Sequence, residues 1–127
     1  MLMPAQARAW SCEEHLEFSY AASSTAVALE MDPAACGIGG PINVVLKLNR
    51  TSMGEQETTR TSATCPAEHV CRVEATTPHP SIEYAAYSAE FIWSSSWETP
   101  DGQTQVAAAS GGSTGPTCGS VVVATTC

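Results

Sequence analysis

Apolar and polar side chains alternate every second residue through most of the chain, which predicts strands. Leu16, Phe18 and Tyr20 alternate with His15, Glu17 and Ser19, the mark of a strand with one buried face. A polar turn at Ser23-Ser24-Thr25 leads to Val27, Leu29 and Met31, and the two runs together predict a hairpin. Asp32-Pro33 and Gly37-Ile38-Gly39-Gly40-Pro41 interrupt the pattern with residues that favour turns. Ile42, Val44, Leu46 and Leu48 then form the cleanest inward face, opposite Asn43, Lys47 and Asn49.

After a turn near Met53-Gly54, the run 56–64 is polar and rich in threonine. Threonine suits strands, and the lack of apolar residues predicts a solvated sheet edge. Cys65-Pro-Ala-Glu-His-Val-Cys71 reads as a hairpin loop closed by its own disulfide, with Val73 and Ala75 on the returning strand. Across 82–97 the odd positions Ala85, Tyr87, Ala89, Phe91, Trp93 and Trp97 carry most of the aromatic bulk, against Ser88, Glu90, Ser94 and Ser96. Tyr84, Tyr87 and Phe91 also fit helical spacing, but the serine run 94–96 is poor helix interior, so a long strand is expected. Thr99-Pro-Asp-Gly102 has turn chemistry, 103–109 returns, and a glycine-rich loop over 111–117 is expected before a last strand at 121–125.

About seven to nine short strands with regular punctuation predict an all-β, disulfide-stabilised β-sandwich, immunoglobulin-like in type. The length of 127 residues matches one domain. Ala7-Arg8-Ala9 fits a signal-peptidase site, although the apolar stretch before it is short. Residues 1–9 are therefore expected to be a signal-peptide remnant or a flexible N-terminal arm, and 10–127 the single sandwich domain.

Six cysteines, Cys12, Cys36, Cys65, Cys71, Cys118 and Cys127, make an even set that reads as three disulfides. No pair has the tight C-x₂₋₄-C spacing of a zinc knuckle. Disulfides persist in oxidising compartments, so the expected location is secreted or at the cell surface. Cys65 with Cys71 is the clearest pair. Cys12 can reach Cys36 across the first hairpin, which leaves Cys118 and Cys127 for each other or for another chain. Yet these two flank an apparently continuous strand, whose ends would lie roughly 30 Å apart, so that local pair requires a sharp bend.

Thirteen acidic residues against five basic ones give a net charge of −8, which disfavours nucleic acid and anionic membranes as partners. No run approaches the about 20 apolar residues of a membrane helix, so membrane insertion is not expected.

No catalytic constellation emerges. Glu13-Glu14-His15 would send neighbouring side chains to opposite faces of a strand, His69 lies in the Cys65–Cys71 loop, and His79 sits between two prolines. Asn49-Arg50-Thr51 matches the glycosylation sequon. No nucleophile elbow or phosphate loop is present, and no metal site or cofactor is expected.

Aromatic side chains anchor interfaces and stack on rings or sugars. Trp10, Tyr84 and Trp97 are expected to be the exposed ones and to carry contacts. The function read from these features is a non-catalytic extracellular binding or interaction domain, with a protein, glycan or small hydrophobic ligand as its target. Its rival is self-association, as the subunit of an extracellular filament, virion or cell-surface assembly joined through polar edge strands.

Overall fold

The computed structural model describes residues 12–21, 23–52, 54–78 and 84–119. Among these residues are seven strands: β1 (His15–Tyr20), β2 (Ser24–Met31), β3 (Ile42–Ser52), β4 (Glu55–Cys65), β5 (Cys71–Pro78), β6 (Tyr84–Glu98) and β7 (Thr104–Gly119). One short 3₁₀ turn, Pro33–Cys36, is capped by the Asp32 side chain and ended by Gly37 at φ 75°. The strands form two antiparallel sheets, in the orders β1-β2-β5 and β4-β3-β6-β7.

The sheets face each other across one core because each strand turns its apolar set the same way. Val27, Leu29 and Met31 of β2 lie in register with Ala75, Val73 and Cys71 of β5. From the other sheet come Ile42, Val44, Leu46 and Leu48 of β3 with Ala85, Tyr87, Ala89, Phe91 and Trp93 of β6. All are buried. Leu16, Phe18 and Tyr20 of the edge strand β1 are half-buried against this cluster, so every strand predicted from alternation up to residue 98 is found with its expected inward face.

Two disulfides close loops around the core. Cys12–Cys36 ties the approach to β1 to the 3₁₀ turn, with Cα atoms 4.9 Å apart. Cys65–Cys71 spans 5.6 Å between Cα atoms. The strands it joins do not form the expected hairpin: β4 pairs with β3 and β5 with β2, so residues 66–70 cross from one sheet to the other. The reason lies in β5. Its inward set of Cys71, Val73, Ala75 and Thr77 completes the apolar face of β2, whereas β4 is polar and offers it no such neighbour.

The glycine-rich loop expected at 111–117 is also not a loop. These residues continue β7, paired with β6 on both sides of one irregularity at Gly115 and Pro116. The glycines serve close packing: a Cβ on Gly111 would lie 2.8 Å from the Phe91 ring, and one on Gly115 would lie 3.0 Å from Phe18. The ladder shifts register between Ala86 and Ser88, beside Pro116, which has no N–H to give to a ladder. The backbone of Cys118 pairs with Ala85. The partner of its thiol, expected to be Cys127 or another chain, lies outside the described residues, as do the N-terminal arm 1–9, Trp10, His79 and the expected strand at 121–125. No helix among the described residues is long and apolar enough to cross a membrane.

Candidate functional site

The outward face of the four-stranded sheet is built from the residues that alternate with the core set. Read across β4, β3, β6 and β7, its rows are Thr64–Asn43–Ser94–Ala108, Ser62–Val45–Ile92–Ser110, Arg60–Lys47–Glu90–Gly112 and Thr58–Asn49–Ser88–Thr114. On the β7 side every one of these side chains is small, and Gly112 has none. A Cβ there would stand 2.9 Å from the Ala89 carbonyl oxygen. The face is therefore hollow between β3 and β7, forming a trough of about 670 Å³ lined by Val45, Lys47, Ser88, Glu90, Ile92 and Gly112 among others. That volume falls in the range of small-molecule sites.

Two large aliphatic residues break the small and polar pattern here. Val45 and Ile92 are cross-strand partners, and Ile92 is 54% exposed, so the trough offers an apolar patch to whatever fills it. At one end Asn49 is buried and fixed: its amide donates to Ser88 Oγ at 3.4 Å, and Thr58 Oγ1 donates to its Oδ1 at 2.8 Å. The sequon asparagine thus spends its amide inside the sheet rather than in solvent.

Charge sets this face apart as well. Arg50 is held by Glu57 and by the Pro78 carbonyl, and Arg72 by Glu30 and Glu74. Lys47 and Arg60 stand directly opposite each other, and among the described residues neither makes an ion pair. Like charges facing one another across a ladder are mutually destabilising. In so acidic a chain, this pair is a local positive feature beside the apolar patch, with Glu90 on its far side.

Of the three aromatic residues expected to carry contacts, the described part places the side chain of Trp97, and it lies away from this trough. Trp97 is half-buried on the inward side of β6, packed against the core and over the glycine loop. A Cβ on Gly39 would fall within 2.4 Å of its indole. Tyr84 pairs through its backbone with Gly119, its side chain being outside the described part, as is the whole of Trp10. His15 is exposed, 3.8 Å from Glu17, and His69 is exposed on the 66–70 crossing. A smaller hollow of about 250 Å³ beside His15, Glu30 and Asp32 is acidic. Among the described residues no group of three or more potential ligands is placed to hold a metal ion.

Sequence reasoning passed over Lys47, Glu90, Ile92 and Gly112. The signal was a large aliphatic residue on each otherwise small or polar strand face, Val45 in β3 and Ile92 in β6, and the two become one feature only when the strands are paired. Comparison with protein-family models, curated proteins and solved structures finds no match.

Proposed function

We propose that this protein is a non-catalytic extracellular binding domain that holds a small amphiphilic ligand on the outer face of its four-stranded sheet. The observation that carries the reading is the trough itself: a concave space with an apolar floor at Val45 and Ile92, beside Lys47 and Arg60, neither of which makes an ion pair among the described residues. Pockets of this kind take orientation from a few polar groups and affinity from apolar contact. Two disulfides support an oxidising compartment. The strand order β1-β2-β5 against β4-β3-β6-β7 supports the immunoglobulin-like type.

Anilinonaphthalene sulfonate, an aromatic anion of suitable size, is the test probe. It should bind at one saturable site on the native protein. Ile92→Glu should weaken binding about tenfold or more, through lost apolar contact and added like charge. Lys47→Gln should weaken it several-fold, with near-ultraviolet circular dichroism unchanged in both variants. Binding that ignores both substitutions would overturn the assignment of the trough.

A further inference from the structure

The four strands at the sheet margins are β1 and β5 in one sheet and β4 and β7 in the other. Exposed sheet edges invite pairing with other chains, and proteins blunt them with charged side chains. Three of the four follow that rule with exposed charges: Glu17 on β1, Arg72 and Glu74 on β5, and Glu55, Glu57 and Arg60 on β4. The fourth does not. β7 runs for sixteen residues, Thr104–Gly119, without a single charged residue.

We infer that the edge of β7, which no other described strand pairs with, is a homodimer interface, where a second copy of this chain adds its own β7 antiparallel and about a two-fold axis. Several observations select a second copy. At a net charge of −8, two copies repel through most of their surface, and a contact between them is favoured where neither brings charge. β7 is that place among the described edges. Up to the irregularity at Gly115 and Pro116, the stretch from Thr104 to Thr114 offers a regular edge of roughly 36 Å at about 3.3 Å per residue, and one self-pairing there would make an eight-stranded sheet from two four-stranded ones. The antiparallel sense follows from the Thr99–Gly102 turn that leads into β7. It carries Asp101, exposed, and antiparallel pairing sends the two Asp101 carboxylates to opposite ends, whereas parallel pairing sets them side by side. Val106 is 65% exposed on this strand, and a neighbouring strand supplies it with apolar cover. Such an isologous contact closes on itself as a dimer, which separates it from a growing filament.

Light scattering coupled to size-exclusion chromatography of the full chain, from micromolar to millimolar concentration, tests the inference. The expected result is a concentration-dependent passage to twice the chain mass. Hydrogen exchange should show β7 amides gaining protection as the dimer fills, with the β4 edge unchanged. Ala108→Lys and Val106→Lys, both exposed on β7 and outside the trough lining, should abolish the dimer. Ser62→Lys on β4 should leave it intact. Melting curves for all three report whether each variant folds, and the exchange data on the unaltered chain stand independently if one does not. A chain that stays monomeric at millimolar concentration overturns the inference, whether its β7 amides exchange freely or are protected by its own residues. A dimer that survives both lysines overturns it too.

Discussion

The indole Nε1 of Trp93 donates a hydrogen bond to Oε2 of Glu14 at 3.2 Å, and Oε1 of the same carboxylate accepts from the Cys12 backbone N–H at 2.6 Å. Trp93 is a central core residue of β6, and Glu14 precedes β1 by one position. One side chain thus fastens the start of the described chain to the middle of the opposite sheet. Removing it leaves a buried indole N–H without its acceptor, so Glu14→Ala should cost about 1–3 kcal/mol. Glu14→Gln keeps an acceptor oxygen and should cost less. Urea midpoints followed by tryptophan fluorescence give both numbers, and equal losses would mean that the charge matters more than the hydrogen bond.

The two disulfides close loops of different size, with sequence separations of 24 for Cys12–Cys36 and 6 for Cys65–Cys71. Loop-closure entropy scales with the logarithm of that size. Replacing the first pair by serines should cost about 3.5 kcal/mol and the second about 2.4 kcal/mol. Denaturant titrations of C12S/C36S and C65S/C71S give the comparison. The reverse order would show that joining the two sheets matters more than restraining the unfolded chain.

Trp97 and Gly39 are matched in shape. Gly39→Ala places a methyl group within 2.4 Å of the indole, an overlap that rigid packing resolves at a cost of about 1–3 kcal/mol. Trp97→Ala removes the obstacle, so the double variant should lose clearly less stability than the sum of the singles. A double-mutant cycle of thermal or urea stabilities measures this coupling, and additivity would contradict the contact.

Burial raises the phenol of Tyr87 above its ordinary 10.0, opposed in part by a hydrogen bond with Thr25 and by the charge of Arg50. Tyr20 shifts the same way, through burial alone. The folded protein therefore holds these protons more tightly than the unfolded chain does. Their stabilisation is complete below pH 10.0 and is lost as pH rises through the higher folded values. Urea midpoints should fall across that alkaline range, and Tyr87→Phe should make the fall shallower. An unchanged slope in the variant would assign the pH dependence elsewhere.

Alternation with a period of two was enough to read β1, β2, β3 and β6 and to orient their buried faces, because each of those strands has one dry side and one wet side. It was enough, too, to mark β4 as an edge, since a strand without apolar residues has nothing to bury. The register of β5 was hidden: Val73 and Ala75 announce a strand but not whether β2 or β4 is its neighbour, and only three-dimensional packing chooses. β7 was hidden for a different reason. Gly111, Gly112 and Gly115 carry the composition of a loop, while their actual use is to make room for Phe91, the trough floor and Phe18. The candidate site escaped detection because its parts, Val45, Lys47, Glu90 and Ile92, sit on two strands more than forty residues apart in sequence, and none is unusual alone.

The crossing from β4 to β5 has a consequence for how the molecule comes apart. Each sheet draws strands from both sides of residues 66–70, and the segment is spanned by a covalent bridge between its two ends. A protease that cuts within this exposed stretch would release nothing: the two fragments would stay bonded through sulfur and interleaved strand by strand, separating only when reduced and unfolded together. The same arrangement makes 66–70 the natural point at which to open the chain, for a peptide insertion or for new termini, without dismantling either sheet.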